Sequence, residues 1–181
     1  MKTLDAIVSV LLFSNPCNTP TDKTISANIC PTMAGTETVY ECPKGCYHED
    51  DGDSFYCGEV EIRLLGADTP EIIHYEDGIF INQDYGLAAA SFTYQAITEA
   101  QHIIIKEGEI DKYGRVLAHV EIDNELLSVR LIKAGLAYET ISTYGDQGFL
   151  EFADQIMTAS WIAPQQKFQN PHDWRKEHQV K

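Results

Sequence analysis

Basic residues are scarce in this chain. Its 181 residues include 13 lysines and arginines against 28 aspartates and glutamates, a formal net charge of -15 at pH 7. Proteins that grip nucleic acid by charge alone carry an excess of Lys and Arg to neutralise phosphates. The composition therefore excludes a general polyanion binder, and any phosphate-directed function must be local. No apolar run is long enough to cross a bilayer as a helix, and there are no internal repeats. No cysteine follows residue 57; the five are Cys17, Cys30, Cys42, Cys46 and Cys57. Such clustering suggests disulfides if the chain is exported. The rival is a zinc site from Cys42, Cys46, His48 and Cys57, whose Cys-x3-Cys spacing is acceptable but lacks a second tight pair.

The first residues, MKTLDAIVSVLLFSNPC, place Lys2 before the apolar stretch Ala6–Phe13. This has the form of a short signal peptide, against which stand Asp5 and the lack of a small-x-small cleavage site. The expected organisation is a leader and linker over residues 1–38 and one globular domain over 39–181. The location expected is secreted or periplasmic, with the cytoplasm as the alternative.

Short strands are expected at Val39–Cys42, Cys46–Glu49, Ser54–Cys57 and Val60–Leu65, with Gly58-Glu59 as a two-residue hairpin turn. In the last of these, Val60, Ile62 and Leu64 alternate with Glu61 and Arg63, as in a half-buried strand. Leu87–Ala100 has helical spacing, His102–Lys106 and Arg115–Ile122 read as strands, and Glu125–Ala134 reads as a helix stopped by Gly135. A third helix begins after Asp146, and the polar tail packs through Phe168 and Trp174. Antiparallel strands followed by packing helices predict an α+β domain: a five-stranded oligonucleotide-binding-type β-barrel with about three helices.

Three segments carry the chemistry. Glu49-Asp50-Asp51-Gly52-Asp53-Ser54 clusters carboxylates, which need solvent or a cation to offset their repulsion. It is no EF-hand, because Gly52 at the sixth loop position would put Tyr47 and Gly58 where acids are required. The turn at Gly58-Glu59 sets Ser54 opposite Arg63, bringing Asp53, Arg63, Asp68 and Glu71 to one end of a hairpin, with Pro70 stiffening the turn. Asp111-Lys112-Tyr113-Gly114-Arg115 is a polar turn entering a strand. Alone, the acidic run and the Asp111–Arg115 turn read first as solvated surface turns, and the Arg63–Glu71 strand end reads equally well as surface ion pairs.

Together the three resemble, in order and spacing, the signature stretches of staphylococcal-nuclease-like proteins. Phe168…Pro171…Trp174-Arg175 is similar to a C-terminal motif of bacterial exported members. The resemblance runs from about Tyr40 to Arg175. It implies a calcium-dependent endonuclease acting on DNA and RNA, leaving 3′-phosphates, with a monomer expected. It implies that Asp53, Asp68 and the Thr69 carbonyl bind Ca2+, that Glu71 orients or deprotonates water, and that Arg63 and Arg115 hold the phosphate. Tyr113 would contact the nucleotide, and Cys46 and Cys57 would form a disulfide.

The chemistry stands without the analogy. A cation offsets phosphate charge, a carboxylate takes a proton from water, and two guanidiniums grip phosphate oxygens in bidentate fashion. The rivals are a non-catalytic nucleic-acid- or protein-binding barrel of the same fold and a small exported metal-binding protein.

Overall fold

The structure, a computed structural model, describes residues 38–42 and 47–180. The strands are β1 (Thr38–Glu41), β2 (Tyr47–Glu49), β3 (Ser54–Cys57), β4 (Val60–Leu64), β5 (Ala67–Asp68), β6 (Ile103–Ile110), β7 (Val116–Ile122), β8 (Glu125–Leu126) and β9 (Tyr138–Glu139). The helices are α1 (Gly86–Glu99), α2 (Leu127–Lys133), α3 (Ile141–Tyr144), α4 (Leu150–Ile162) and α5 (Pro171–His178). Residues 1–37, and with them the expected leader, lie outside the described residues.

The main sheet runs β1-β6-β7-β4-β3-β2, with β8 paired to β7, while β5 and β9 form a separate ladder. All neighbours are antiparallel except β4 and β7, which are parallel and set Arg63 beside Leu117. The α+β class holds, but three expectations are corrected. The sheet has seven strands rather than five, and among the described residues no ladder joins β1 to β2 to close a barrel. Both are short edge strands, β1 paired to β6 and β2 to β3. There are five helices among the described residues rather than about three. The additional ones are the four-residue α3 and the polar α5, which carry little apolar periodicity to read. The expected helix at Glu125 begins two residues later, because β8 first pairs with β7 across the Asp123-Asn124 turn, where both residues have positive φ.

Phe55, Ile62, Leu64, Ile105, Val120 and Ile122 from the sheet meet Leu127, Leu131, Phe152 and Ile156 from α2 and α4 in one core. Alternation puts Ile62 and Leu64 inward and leaves Arg63 on the opposite face of β4. In the same core sits His119 of β7, 1% exposed, its ring edge-on to Phe149 and Phe152 at 4.9 Å each, with Nδ1 unpartnered.

Burial, helped by nearby Lys106, pushes the His119 imidazole down from its ordinary 6.5 to about 4. The unfolded chain takes up a proton below pH 6.5 that the folded chain refuses until about pH 4. Stability is therefore full above pH 6.5 and falls as pH drops through this window, by about 3 kcal/mol for this one group. Urea unfolding of a His119→Leu variant should show a correspondingly smaller loss between pH 7 and 4 than the unaltered protein. Equal losses in the two proteins would remove His119 as the source.

Candidate active site

The β3–β4 hairpin pairs Ser54 with Arg63, as its two-residue turn demands. Pairing continues one step further, where Leu64 N–H donates to the Asp53 carbonyl at 2.8 Å. Asp53 is thus fixed beside the strand that carries Arg63. After Gly66 the chain enters β5, and pairing with β9 sets Asp68 opposite Tyr138. Thr69 N–H donates to Asp53 Oδ2 at 2.8 Å, and Asp53 N–H donates to Asp51 Oδ1 at 3.0 Å. The first bond ties the segment after β5 to the acidic turn, and the second braces the turn itself.

Glu71 is held through its backbone. Its N–H donates to Gln83 Oε1 at 3.2 Å, and Gln83 N–H donates back to the Glu71 carbonyl at 2.9 Å. The first residue of α1, Gly86, lies so close that a Cβ there would stand 2.2 Å from the Glu71 oxygen. Only glycine lets the helix start against this segment of the site.

Four carboxylates, Asp51, Asp53, Asp68 and Glu71, are each less than one-tenth exposed. Two guanidiniums run between them. Arg63 Nη1 donates to Asp53 Oδ1 and lies 3.8 Å from Asp51, while Nη2 donates to Asp68 Oδ1 at 2.9 Å. Arg175 of α5 makes a fork on Asp68, at 3.1 Å to Oδ1 and 3.0 Å to Oδ2, and its Nη1 also donates to Glu71 Oε1. With all four carboxylates ionised, as a bound cation would hold them, four negative and two positive groups leave two negative charges in excess.

The titration behaviour follows first from burial and then from the charges nearby. Burial, with Asp51 and Asp68 adding to it and Arg63 opposing, raises the Asp53 carboxyl well above the usual carboxylate range. Burial likewise raises Glu71, against the pull of Arg175. Asp51 resists its own burial and is lowered by Arg63 and by its bonds from Asp53. Both guanidiniums, against the pull of their own burial, are held firmly protonated by the carboxylates around them.

Asp53, Arg63, Asp68, Thr69 and Glu71, singled out from sequence, are therefore one cluster. Arg115 and Tyr113 are not within its hydrogen-bond network. Arg115 is clamped by Asp111, which accepts from its Nε at 2.9 Å and from its backbone N–H at 3.0 Å. Its guanidinium lies 5.4 Å from the ring centre of Tyr113, which is 70% exposed. The parallel register still places it usefully: Arg63 pairs with Leu117, so Arg115, two residues earlier, continues the same sheet face. It also reaches Asp50, whose carboxyl burial and Asp51 push up to about 6 while His74 and Arg115 pull it down.

Whether a cation fits can be judged from the donors. As the side chains stand, no three metal-binding side chains among the described residues converge on one point. Arg63 lies between Asp53 and Asp68, and Arg175 between Asp68 and Glu71. The donor set is nonetheless suited to a hard divalent ion: carboxylate oxygens, two negative charges unbalanced, and the buried hydroxyls of Thr69 and Ser54 without hydrogen-bond partners beside Asp53.

The expected Cys46–Cys57 bridge is corrected. Cys57 is bonded to Cys42, with Cα atoms 5.8 Å apart, while Cys46 lies outside the described residues. Cys42 follows β1, where its N–H donates to the Ile103 carbonyl, and both sulfurs enter the core. With Cys57 in a disulfide, the zinc alternative loses two of its ligands.

Sequence reasoning missed Arg175 as a site residue. Its motif was visible, but α5 has no apolar stripe to show which way it faces.

This fold and site define the class of protein. Residues 61–167, more than half of the chain, match the family described as Staphylococcal nuclease homologue, and the chain belongs to that family. It is similar to the thermonuclease of Staphylococcus intermedius, with 39% identity over 92 residues, covering 48% of this chain and 53% of the relative. The thermonuclease of Staphylococcus hyicus is 34% identical over 80 residues, covering 44% and 46%. An uncharacterised protein of Methanocaldococcus jannaschii is 35% identical over 118 residues, covering 52% and 57%. The chain thus spans about half the length of the curated relatives it matches. No helix among the described residues is long and apolar enough to cross a membrane.

Proposed function

We propose that the protein is a calcium-dependent nuclease that hydrolyses phosphodiester bonds of DNA and RNA. The observation that carries this reading is the sharing of the Arg63 guanidinium between Asp53 and Asp68 in a cluster with two excess negative charges. Asp53, Asp68 and Thr69 are the residues that would hold the ion. When bound, it supplies charge to offset a phosphate oxygen and to place the attacking water.

The chain's own groups do the rest. Arg63 can exchange a carboxylate for a substrate phosphate, a swap its planar fork permits without a change in charge state. Glu71, held by Arg175 and desolvated, would accept the proton of an attacking water. Arg115, on the same face two residues along, extends the grip to a second phosphate oxygen once Asp111 releases it. Tyr113 lies exposed beside it, as a ring against a nucleotide would. Each guanidinium contact that strengthens in the transition state contributes roughly 3–4 kcal/mol.

This confines phosphate binding to one cleft on a surface that otherwise repels it, with a net charge of -15. Grip on long nucleic acid should be weak, and turnover should depend on the cation. Cleavage of single-stranded DNA should proceed with calcium chloride and stop with excess chelator. No cleavage by the folded, calcium-saturated protein would replace this reading with that of a binding barrel of the same fold. A tight complex with DNA at physiological salt in chelator would sink the charge argument.

A further inference from the structure

The family match ends at residue 167, yet α5, beyond it, contributes one of the two guanidiniums in the cluster. Its placement is specified along its whole length. Asn170 caps the helix, accepting from His172 N–H at 3.0 Å, and Pro171 occupies the first turn, a strong helix-start pair. Pro171 and Trp174 are buried, which turns the next residue, Arg175, toward the carboxylates.

Both ends of the segment are tied to the segments that flank the site. Before α5, Gln83 Nε2 donates to the Gln169 carbonyl at 2.6 Å, while the same side chain's Oε1 accepts from Glu71 N–H. The Phe168 carbonyl accepts from Tyr138 Oη at 2.9 Å, and Tyr138 pairs with Asp68. After α5, Gln179 Nε2 donates to the Asp77 carbonyl at 2.7 Å, and Val180 N–H donates to the Gly78 carbonyl at 2.9 Å. Gly78 has φ 74°, and a Cβ there would fall 2.0 Å from the Val180 oxygen. A loose tail needs no such fit.

We propose that Arg175 is a positioning residue of the active site: the α5 arm brings its guanidinium across Asp68 and Glu71, fixes the direction of the Glu71 carboxylate, and sets how strongly the cluster attracts a cation. The proposal rests on the nuclease reading for its reaction, but its action on the carboxylates is independent of it. The planar fork can hold both oxygens of Asp68 and reach Glu71 at once; a lysine ammonium, a single point charge, cannot. With Arg175 the cluster retains two excess negative charges, matching one divalent ion; without it, three. Loss of the arm should therefore tighten cation binding while impairing the reaction. An arm that served as a lock on the site would do the opposite to the rate.

The test is calcium chloride titrated calorimetrically into the full chain, alongside steady-state cleavage of single-stranded DNA. For Arg175→Gln, calcium binding should tighten about tenfold, the scale of one charge at close range. Its kcat should fall about 10–100-fold, with KM within about threefold, as for a displaced rather than a lost catalytic group. Arg175→Lys should return the calcium affinity to that of the unaltered protein and leave kcat depressed. It also keeps the proposal testable if the glutamine variant does not fold. Lys176→Ala, at an exposed residue paired with Asp173 on the same helix, should change neither quantity. Unchanged affinity and rate in Arg175→Gln would overturn the proposal and leave the nuclease reading standing, and a raised kcat would overturn it in favour of a lock. Tightened calcium binding in a protein that never cleaves DNA would uphold the arm's hold on the carboxylates and sink the nuclease reading.

Discussion

Replacing Arg63 with alanine should reduce DNA cleavage by about 10²–10³-fold, the scale for loss of one transition-state charge contact. It should also destabilise the protein by about 3 kcal/mol in chelator, because breaking a buried ion pair leaves its partners uncompensated. Arg63 touches Asp53 and Asp68 and stands near Asp51, so three desolvated carboxylates lose their common counter-charge. The stability deficit should shrink at lower pH. Asp53 already has a raised folded pKa, and a group so raised gains a proton in the folded state first, so protonation stabilises the variant as pH falls. Calcium should restore the melting temperature, since it supplies positive charge to the same oxygens, but should not restore the rate. That separation decides the matter: if calcium recovers cleavage together with stability, Arg63 is scaffolding and the phosphate is held elsewhere.

Glu71→Gln should show the reverse pattern. The amide is nearly the same shape and removes one of the two excess negative charges, so stability in chelator should match or exceed that of the unaltered protein. Arg175 keeps its fork on Asp68, and the backbone bonds to Gln83 do not involve the side chain. Cleavage, however, should fall by about 10²–10⁴-fold, the usual contribution of a general base. Thermal unfolding and cleavage measured on one preparation suffice. A Glu71→Gln variant that cuts DNA within a few-fold of the original would mean that the proton leaves by another route.

The parts of this architecture that come from short-range rules were legible. The hairpin turn at Gly58-Glu59 and the alternation in Val60–Leu65 set Ser54 against Arg63 from sequence alone, and the pairing follows. Gly135 ends α2 as its position suggested, at φ 71°. The parts that come from long-range closure were not. β5 and β9 are two residues each, with no pattern of their own, and exist because Asp68 and Tyr138 meet in space. Cys57 had several possible partners in sequence, and spacing could not choose Cys42 among them. Arg115 was legible only as part of a polar turn entering a strand; its clamp by Asp111 is a side-chain choice within that turn, which spacing does not fix. Arg175 had a weaker signal that a simple count would have strengthened. The chain has four arginines, and in a protein so acidic an arginine beside a buried tryptophan has a carboxylate to meet.

The span between Asp68 and Arg175 also has a consequence in time. Arg175 is made 107 residues after Asp68 and 104 after Glu71. A ribosome-bound chain that has already exposed every carboxylate of the cluster still lacks its second guanidinium. The hairpin, the sheet and the first helix can therefore assemble on the emerging chain with the site under stronger self-repulsion, and the negative excess falls from three charges to two only when α5 docks. The order of synthesis therefore brings Arg175 to the cluster only after the segments that carry its carboxylates.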